Sequence, residues 1–226
     1  MDLLLIAATP FEIAPTLNFL QQSFVTHDKG VFQRGKLTVR PLITGLGMVA
    51  AAWQLGLAFG RQRPGLALQA GVAGALDPQW KIGDVVHVVT ERFGDLGVEE
   101  ADGRLTDLFE LDFLKADVSP FTDGRLVNAA ASENRFLPTV NGLTVNKVHG
   151  AAISIAAIRE KYPDAQVESM EGAAFFYACQ LAEVPFLEIR SISNYVEPRN
   201  REAWDLPLAI ENLNIVLRSL LESLGE

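Results

Sequence analysis

Leu3 to Ala8 is an unbroken apolar run, which predicts a strand buried on both faces. Thr9 and Pro10 end it and open a helix: threonine suits an N-cap and proline the first helical position. Phe11, Ala14, Leu17 and Leu20 then recur at helical spacing. Residues 24 to 34 and 36 to 43 read as two short strands around Gly35, and Thr44-Gly45-Leu46-Gly47-Met48-Val49-Ala50 opens an alanine-rich helix. Gly65 to Ala70 is a second apolar strand, ending in Gly71-Val72-Ala73-Gly74-Ala75. Strands follow at 83 to 90, carrying His87, at 142 to 148, and at 185 to 192, with Arg190 near its end. Between them lie a helix from Ile153 to Tyr162, stopped by Pro163, and one opening after Glu171 with Ala173, Ala174, Phe176, Tyr177, Ala178 and Leu181 at helical spacing. Residues 200 to 222 read as a terminal helix. Residues 91 to 125 are polar, acidic and irregular, with turn signals at Asp102-Gly103 and Asp123-Gly124; a loop with a weak helix, serving as lid or subunit contact, is expected there. The alternation of strands and helices predicts an α/β/α sandwich with a mixed, mostly parallel sheet, in one domain over residues 1 to 226.

Composition narrows the function classes. An apolar fraction of 49% supports a sizeable core, and a net charge of −9 argues against a nucleic-acid partner, which needs a basic face. The single cysteine, Cys179, rules out a disulfide within the chain; it points to a reduced cytoplasmic setting and reads as a small buried hydrophobe. The start MDLLLIAATPFE lacks a basic stretch and meets Pro10 and Glu12 too early for a signal peptide, and no apolar run reaches the roughly 20 residues a membrane span takes.

The stretch VESMEGAAFFYACQ, residues 167 to 180, concentrates the candidate chemistry. Glu168 and Glu171 sit where an apolar helix begins, a place that suits anions whether they merely cap the helix or bind a ligand. Met170 beside Glu171 makes an apolar seat next to a carboxylate, fit for a sugar face and its hydroxyls. Glu12 lies just past the end of the first strand, where α/β sheets place their ligands, though a capping acid would stand there too. Gly45 to Ala50 matches a loose G-x-G-x-x-A pattern, but no acid follows at the spacing a nicotinamide site needs. Its glycines fit close backbone approach instead, and small Val72, Ala73 and Gly74 leave room for a planar ring.

Taken together, LLLIAATPFEIAP, TGLGMVAA, QAGVAGAL, KIGDVV, VESMEGAA and RSISNYVEPRNREAW resemble the purine nucleoside phosphorylase and nucleosidase superfamily over essentially the whole chain. The resemblance implies N-glycosidic cleavage of a small-molecule nucleoside through an oxocarbenium-like transition state, with neither metal nor organic cofactor, in a homo-oligomer. It implies that Glu171 binds the 2′- and 3′-hydroxyls, Met170 packs on the sugar, Glu12 activates water, and Arg190 holds one of these acids. The family's phosphorylases bind phosphate with arginines and a serine on the loops that here read TPFE and GVAGAL, so water is the expected nucleophile. Val72 departs from the pattern, since nucleosidases often carry a serine there. Asn194 departs more tellingly, because adenine-releasing relatives carry an aspartate that protonates N7. An amide instead offers two N–H donors, which suit the adjacent O6 and N7 acceptors of a 6-oxopurine. The branch that the last segment resembles acts on a nucleoside with a benzoate on its 5′ side, which Arg199, Arg201 or Lys147 could pair. An adenine-type nucleosidase, a purine nucleoside phosphorylase and a nucleoside-binding protein without turnover remain the alternatives.

Overall fold

The computed structural model describes residues 1–27, 30–130 and 136–225. Its strands are β1 (Asp2–Ala7), β2 (Val25–His27), β3 (Val31–Arg34), β4 (Leu37–Ile43), β5 (Leu66–Ala75), β6 (Val85–Glu91), β7 (Gly97–Glu99), β8 (Leu105–Asp107), β9 (Phe121–Thr122), β10 (Arg125–Val127), β11 (Thr139–Thr144), β12 (Val167–Ser169) and β13 (Phe186–Tyr195). Its helices are α1 (Pro10–Ser23), α2 (Met48–Arg61), α3 (Ala152–Lys161), α4 (Gly172–Leu181) and α5 (Leu206–Leu224). Asp28 and Lys29, within the stretch expected as the first short strand, lie outside the described residues.

Helices cover both faces of a central mixed sheet, giving the three-layer α/β/α architecture. The apolar run of β1 shows why both faces must be covered. Leu3, Leu5 and Ala7 pack with Ile13 and Leu20 of α1 and Leu213, Leu217 and Leu221 of α5. Leu4 and Ile6 point the other way, into a cluster with Leu55 and Phe59 of α2 and Phe175 and Phe176 of α4. Each such buried side chain contributes roughly 1.5–3 kcal/mol relative to exposure, so neither layer is dispensable. The longest ladders, β5–β13 and β1–β4, are parallel, whereas β12–β5 and β13–β6 are antiparallel.

Two strands run longer than their sequence patterns suggest. β5 continues through Gly71 to Ala75 and β13 through Asn194 to Tyr195, because the two pair from Ala67–Phe186 to Ala75–Tyr195. Asn194 is thus a strand residue beside a bulge. Residues 91–125 hold no helix: the hairpin β7–β8 and the β9–β10 pair occupy the stretch, linked by turns. Among the described residues no helix is long and apolar enough to cross a membrane.

Candidate active site

β5 is the axis of the site. One edge pairs with β13 along nearly its whole length; the other pairs with β1 only as far as Gln69 and with β12 at Gly74 and Ala75. Between them, at Gly71 to Ala73, that edge lies open beside the start of α1. The strand-to-helix turn therefore delivers Glu12 onto β5.

Glu12 is buried and held by three donors. Its Oε2 accepts from the Thr9 N–H and the Thr9 hydroxyl, both at 2.9 Å, and its Oε1 from the Val72 N–H at 3.3 Å. Its backbone is fixed as well. Pro15 interrupts α1, and the Thr16 N–H, which would normally reach the Glu12 carbonyl, instead donates to Oδ1 of buried Asn214 at 3.0 Å. The Asn214 amide in turn donates to the Glu12 carbonyl at 2.8 Å, so α5 closes the gap in α1 directly at Glu12.

Arg190 crosses β5 at Gly71. A Cβ on Gly71 would lie 2.6 Å from Arg190 Nη1 and 2.8 Å from Glu12 Oε1, so a residue without a side chain is needed there. Arg190 is 1% exposed. Its Nε donates to Glu188 at 2.7 Å, its Nη1 lies 3.6 Å from Glu171 Oε2, and the same Nη1 donates to the Val72 carbonyl at 3.4 Å. Burial pulls its pKa down, but the Glu188 and Glu171 carboxylates outweigh that and raise it above its ordinary value, so it stays charged.

Glu171 stands at the N-cap of α4 yet makes no cap bond to that helix. Its Oε1 accepts instead from the Gly47 N–H at 2.9 Å, at the start of α2, where Gly45 and Gly47 have φ of +83° and +85°. The positive end of α2 thus faces the carboxylate. The glycines serve this turn, and Gly45 also donates to the Ala8 carbonyl at 3.0 Å. Met170, half-buried, directly precedes Glu171.

Two acids that sequence reasoning missed lie behind this array. Glu188, next to Arg190 but one, holds its guanidinium; Glu91 accepts from Thr144 at 2.8 Å, and Thr144 accepts from the Ala173 N–H at 2.7 Å. Burial raises both carboxyls, Glu91 well above its usual range with Glu188 adding to the effect. Both occupy space that a Cβ on Gly172 would fill. Their advance signal was slight: Glu188 is an acid inside an apolar strand, and Glu91 stands at the very end of another. Cys179 is buried, and burial first, then Glu188, pushes its thiol up, as befits an inert core residue.

The far end of β5 is built differently. Gly74 pairs with Asn194 on one side and Glu168 on the other. Directly paired residues share a face of a sheet, and over Gly74 that face is filled by Val196 Cγ2 and Asn194 Nδ2, which lie 3.0 and 3.1 Å from where a Cβ would stand. Asn194 is half-buried; its Oδ1 accepts from Ser193 at 2.8 Å and its Nδ2 donates to the Tyr195 carbonyl at 3.0 Å. One N–H therefore remains for a ligand, not the two expected. Glu168 caps no helix: its Oε1 accepts from the His149 N–H at 3.0 Å and its Oε2 meets His149 Nδ1. His149 was missed in the sequence, where His87 drew attention instead. His87 lies buried in β6, register-paired with Ile189 and Thr139. Buried Ala73 accepts from the Ser193 hydroxyl at 3.3 Å, which ties β13 to this end.

Arg199, Arg201 and Lys147 are exposed. Arg199 stacks over Trp204 at 5.6 Å and its N–H donates to the Gly150 carbonyl at 3.0 Å, which joins its loop to that of His149. The structure brings Glu12, Glu171 and Arg190 together at one end of β5 and Asn194 and Glu168 at the other, a separation of three residues or about 10 Å.

The family model described as the phosphorylase superfamily matches residues 2–222. The chain is 38% identical over 149 residues to a futalosine hydrolase of Streptomyces coelicolor, a match covering 66% of this chain and 61% of that protein. It is 32% identical over 192 residues to a futalosine hydrolase of Acidothermus cellulolyticus, covering 83% of this chain and 77% of that one. The fold is shared with an S-adenosylhomocysteine nucleosidase of Streptococcus pyogenes, at a TM-score of 0.77 and 19% identity over 99% and 97% of the two chains. It is shared too with a futalosine hydrolase of Helicobacter pylori, at a TM-score of 0.74 and 18% identity over 98% and 97%. By the extent of the family match and by this fold, the chain belongs to the phosphorylase superfamily.

Proposed function

We propose that the protein hydrolyses the N-glycosidic bond of futalosine, releasing hypoxanthine and dehypoxanthinylfutalosine in menaquinone biosynthesis. The observation that carries this reading is the array around Gly71, in which Glu12 and Glu171 are fixed on either side of a buried arginine. The identities to futalosine hydrolases support the choice of substrate.

In this reading Glu171 binds the ribose hydroxyls while its charge faces the cationic sugar, and Met170 packs on the ring. The bond from C1′ to the purine nitrogen breaks with its electron pair going to the base. Water adds to C1′ and gives its proton to Glu12, which the Thr9 and Val72 N–H groups hold in position. Arg190 keeps the two carboxylates apart and aimed. The remaining Asn194 N–H donates to the O6 and N7 edge as charge gathers there. Water is the nucleophile because TPFE and GVAGAL carry no arginine or serine for phosphate. A cytoplasmic homo-oligomer is the accompanying assignment; Val49, Trp53 and Leu57, exposed one turn apart along α2, support the oligomer.

Release of the free base, hypoxanthine from futalosine and inosine and adenine from methylthioadenosine, each with and without phosphate, tests the proposal. Phosphate-independent release from futalosine is expected. A strict phosphate requirement, or a sugar-1-phosphate product, overturns hydrolysis; preference for methylthioadenosine favours an adenine-type nucleosidase.

A further inference from the structure

The buried face of α5 is apolar except at Asn214, which stands among Ile210, Leu213, Leu217 and Leu221. A buried amide costs stability unless each of its polar atoms finds a partner. At Asn214 all of them do. Oδ1 accepts from the Thr16 N–H at 3.0 Å and from the Thr16 hydroxyl at 2.6 Å. Nδ2 donates to the Glu12 carbonyl at 2.8 Å and, one turn back in its own helix, to the Ile210 carbonyl at 2.7 Å. Two N–H groups and two acceptor sites are the whole capacity of an amide, so the orientation of this one is fixed.

Its partners on α1 are a particular pair. The Glu12 carbonyl and the Thr16 N–H stand four residues apart, and they are the groups that a regular helix joins to each other. Pro15 lies next to Thr16, with no N–H of its own and a ring that crowds the carbonyl four residues back. The Asn214 amide joins the two groups across this weak point, its donor to the carbonyl and its acceptor to the N–H. The first turn of α1 is therefore tied to α5 and not only to the rest of its own helix. That turn carries the carboxylate. Glu12 accepts from Thr9 and, across to β5, from the Val72 N–H at 3.3 Å, while its carbonyl is held from behind. A bond already at the long end of the normal range is lost on a small shift of the backbone that carries it.

Resting on the reading of Glu12 as the group that takes the proton from water, we infer that Asn214 is a positioning residue for Glu12. Through the Glu12 carbonyl it sets where the carboxylate stands against β5. Without the amide, the first turn of α1 is free to close on Thr16 directly and to shift relative to Val72. A general base displaced in this way still binds its partners in part but no longer meets the water squarely.

Asn214→Leu keeps the branched outline of the side chain and removes its polar atoms; Asn214→Ala is the smaller change should the first fold poorly. Either should lower kcat for hypoxanthine release on the order of 10- to 100-fold, with KM within about threefold, because Glu12 meets the water and not the nucleoside. Thr16→Val removes only the hydroxyl bond; it should lower Tm and leave kcat within about twofold of wild type. The comparison that separates positioning from general support is made in the Glu12→Gln background. There Asn214→Leu should cost less than about twofold more, because its effect passes through Glu12. A full additional loss in that background, a rise in KM matching the fall in kcat, or wild-type kcat in the Asn214 variants overturns the inference. The amide resonance of Val72 reads the same geometry without turnover. It should move in Asn214→Leu as it does in Glu12→Ala, and a resonance left in place overturns the inference as well. Absence of hypoxanthine release by the wild type would instead sink the futalosine reading, and the Val72 resonance would still decide the role of Asn214.

Discussion

At Gly71 two carboxylates that take backbone N–H groups face a buried guanidinium; three residues on, at Gly74, a half-buried amide and a buried carboxylate each divide their bonds between one side chain and one backbone group. Glu12 takes N–H groups from Thr9 and Val72, and Glu171 takes one from Gly47. Asn194 is set by the Ser193 hydroxyl and the Tyr195 carbonyl, and Glu168 by the ring and the backbone N–H of His149. The contrast follows from the chemistry each end is proposed to do. Charge developing on a sugar needs fixed dipoles and ions that do not reorganise. Telling one purine from another needs particular donors and acceptors, which side chains supply and can exchange.

The largest effects should therefore come from neutralising the charged end. Glu171→Gln and Glu12→Gln should each lower kcat for hypoxanthine release by about a hundredfold or more, with the fold intact by circular dichroism. Near-normal turnover in either would reduce that residue to structural support. Gly71→Ala tests the crossing itself. The added methyl would collide with both Arg190 Nη1 and Glu12 Oε1, so activity should fall about as far and Tm should drop as well. Gly74→Ala is the matched change at the other end. Its methyl meets Val196 at 3.0 Å and Asn194 at 3.1 Å, which the neighbours can accommodate by a few tenths of an ångström. It should change the preference among bases several-fold and leave Tm nearly unchanged. Equal outcomes for the two glycine variants would erase the distinction drawn here.

Asn194→Asp sharpens it further. The Asn194 Nδ2 now donates to the Tyr195 carbonyl, and a carboxylate oxygen in its place would face that carbonyl and the purine acceptors together. Hydrolysis of futalosine should fall by about a hundredfold, the scale of one lost donor to a developing charge. Activity on the 6-amino analogue should fall less, and an unchanged ratio of the two would show that Asn194 does not read the base.

The charged end was legible in the sequence because its residues sit at element boundaries: Glu12 after an apolar strand and a Thr-Pro start, Glu171 at the mouth of an apolar helix. Their partners were not, because Glu188 lies inside a strand whose apolar pattern it barely interrupts, and Glu91 ends β6 where the sequence turns polar and irregular. The extensions of β5 and β13 were hidden for a related reason. GVAGA has the composition of a loop, and only the long parallel pairing makes it a strand. The base end was half legible. Asn194 stood out as a departure from a family pattern, but the Ser193 and Tyr195 bonds that halve its donors depend on a bulge in β13. His149 went unnoticed because its partner, Glu168, is distant in sequence and was itself read as a helix acid.

The smallest expected effect lies behind the charged end and concerns stability alone. Glu91 is wholly buried, and burial together with Glu188 raises its carboxyl well above the ordinary 4.5. A carboxyl raised in the folded state holds its proton there while the unfolded chain has already released it. Its contribution is therefore fully present below about pH 4.5 and is lost as pH rises through the folded value. Glu91→Gln removes this titration. The amide can still accept from Thr144 and does not repel Glu188. The Tm of the variant should match the wild type in acid and exceed it at alkaline pH, by roughly 2–4 °C if about 1 kcal/mol is regained. Hypoxanthine release should persist, because Glu188 still holds Arg190. At the other end, Glu168 meets His149 directly. A Tm gap that stays constant across pH would mean Glu91 does not titrate in the folded protein, and the stability cost assigned to the charged end would have to come from elsewhere.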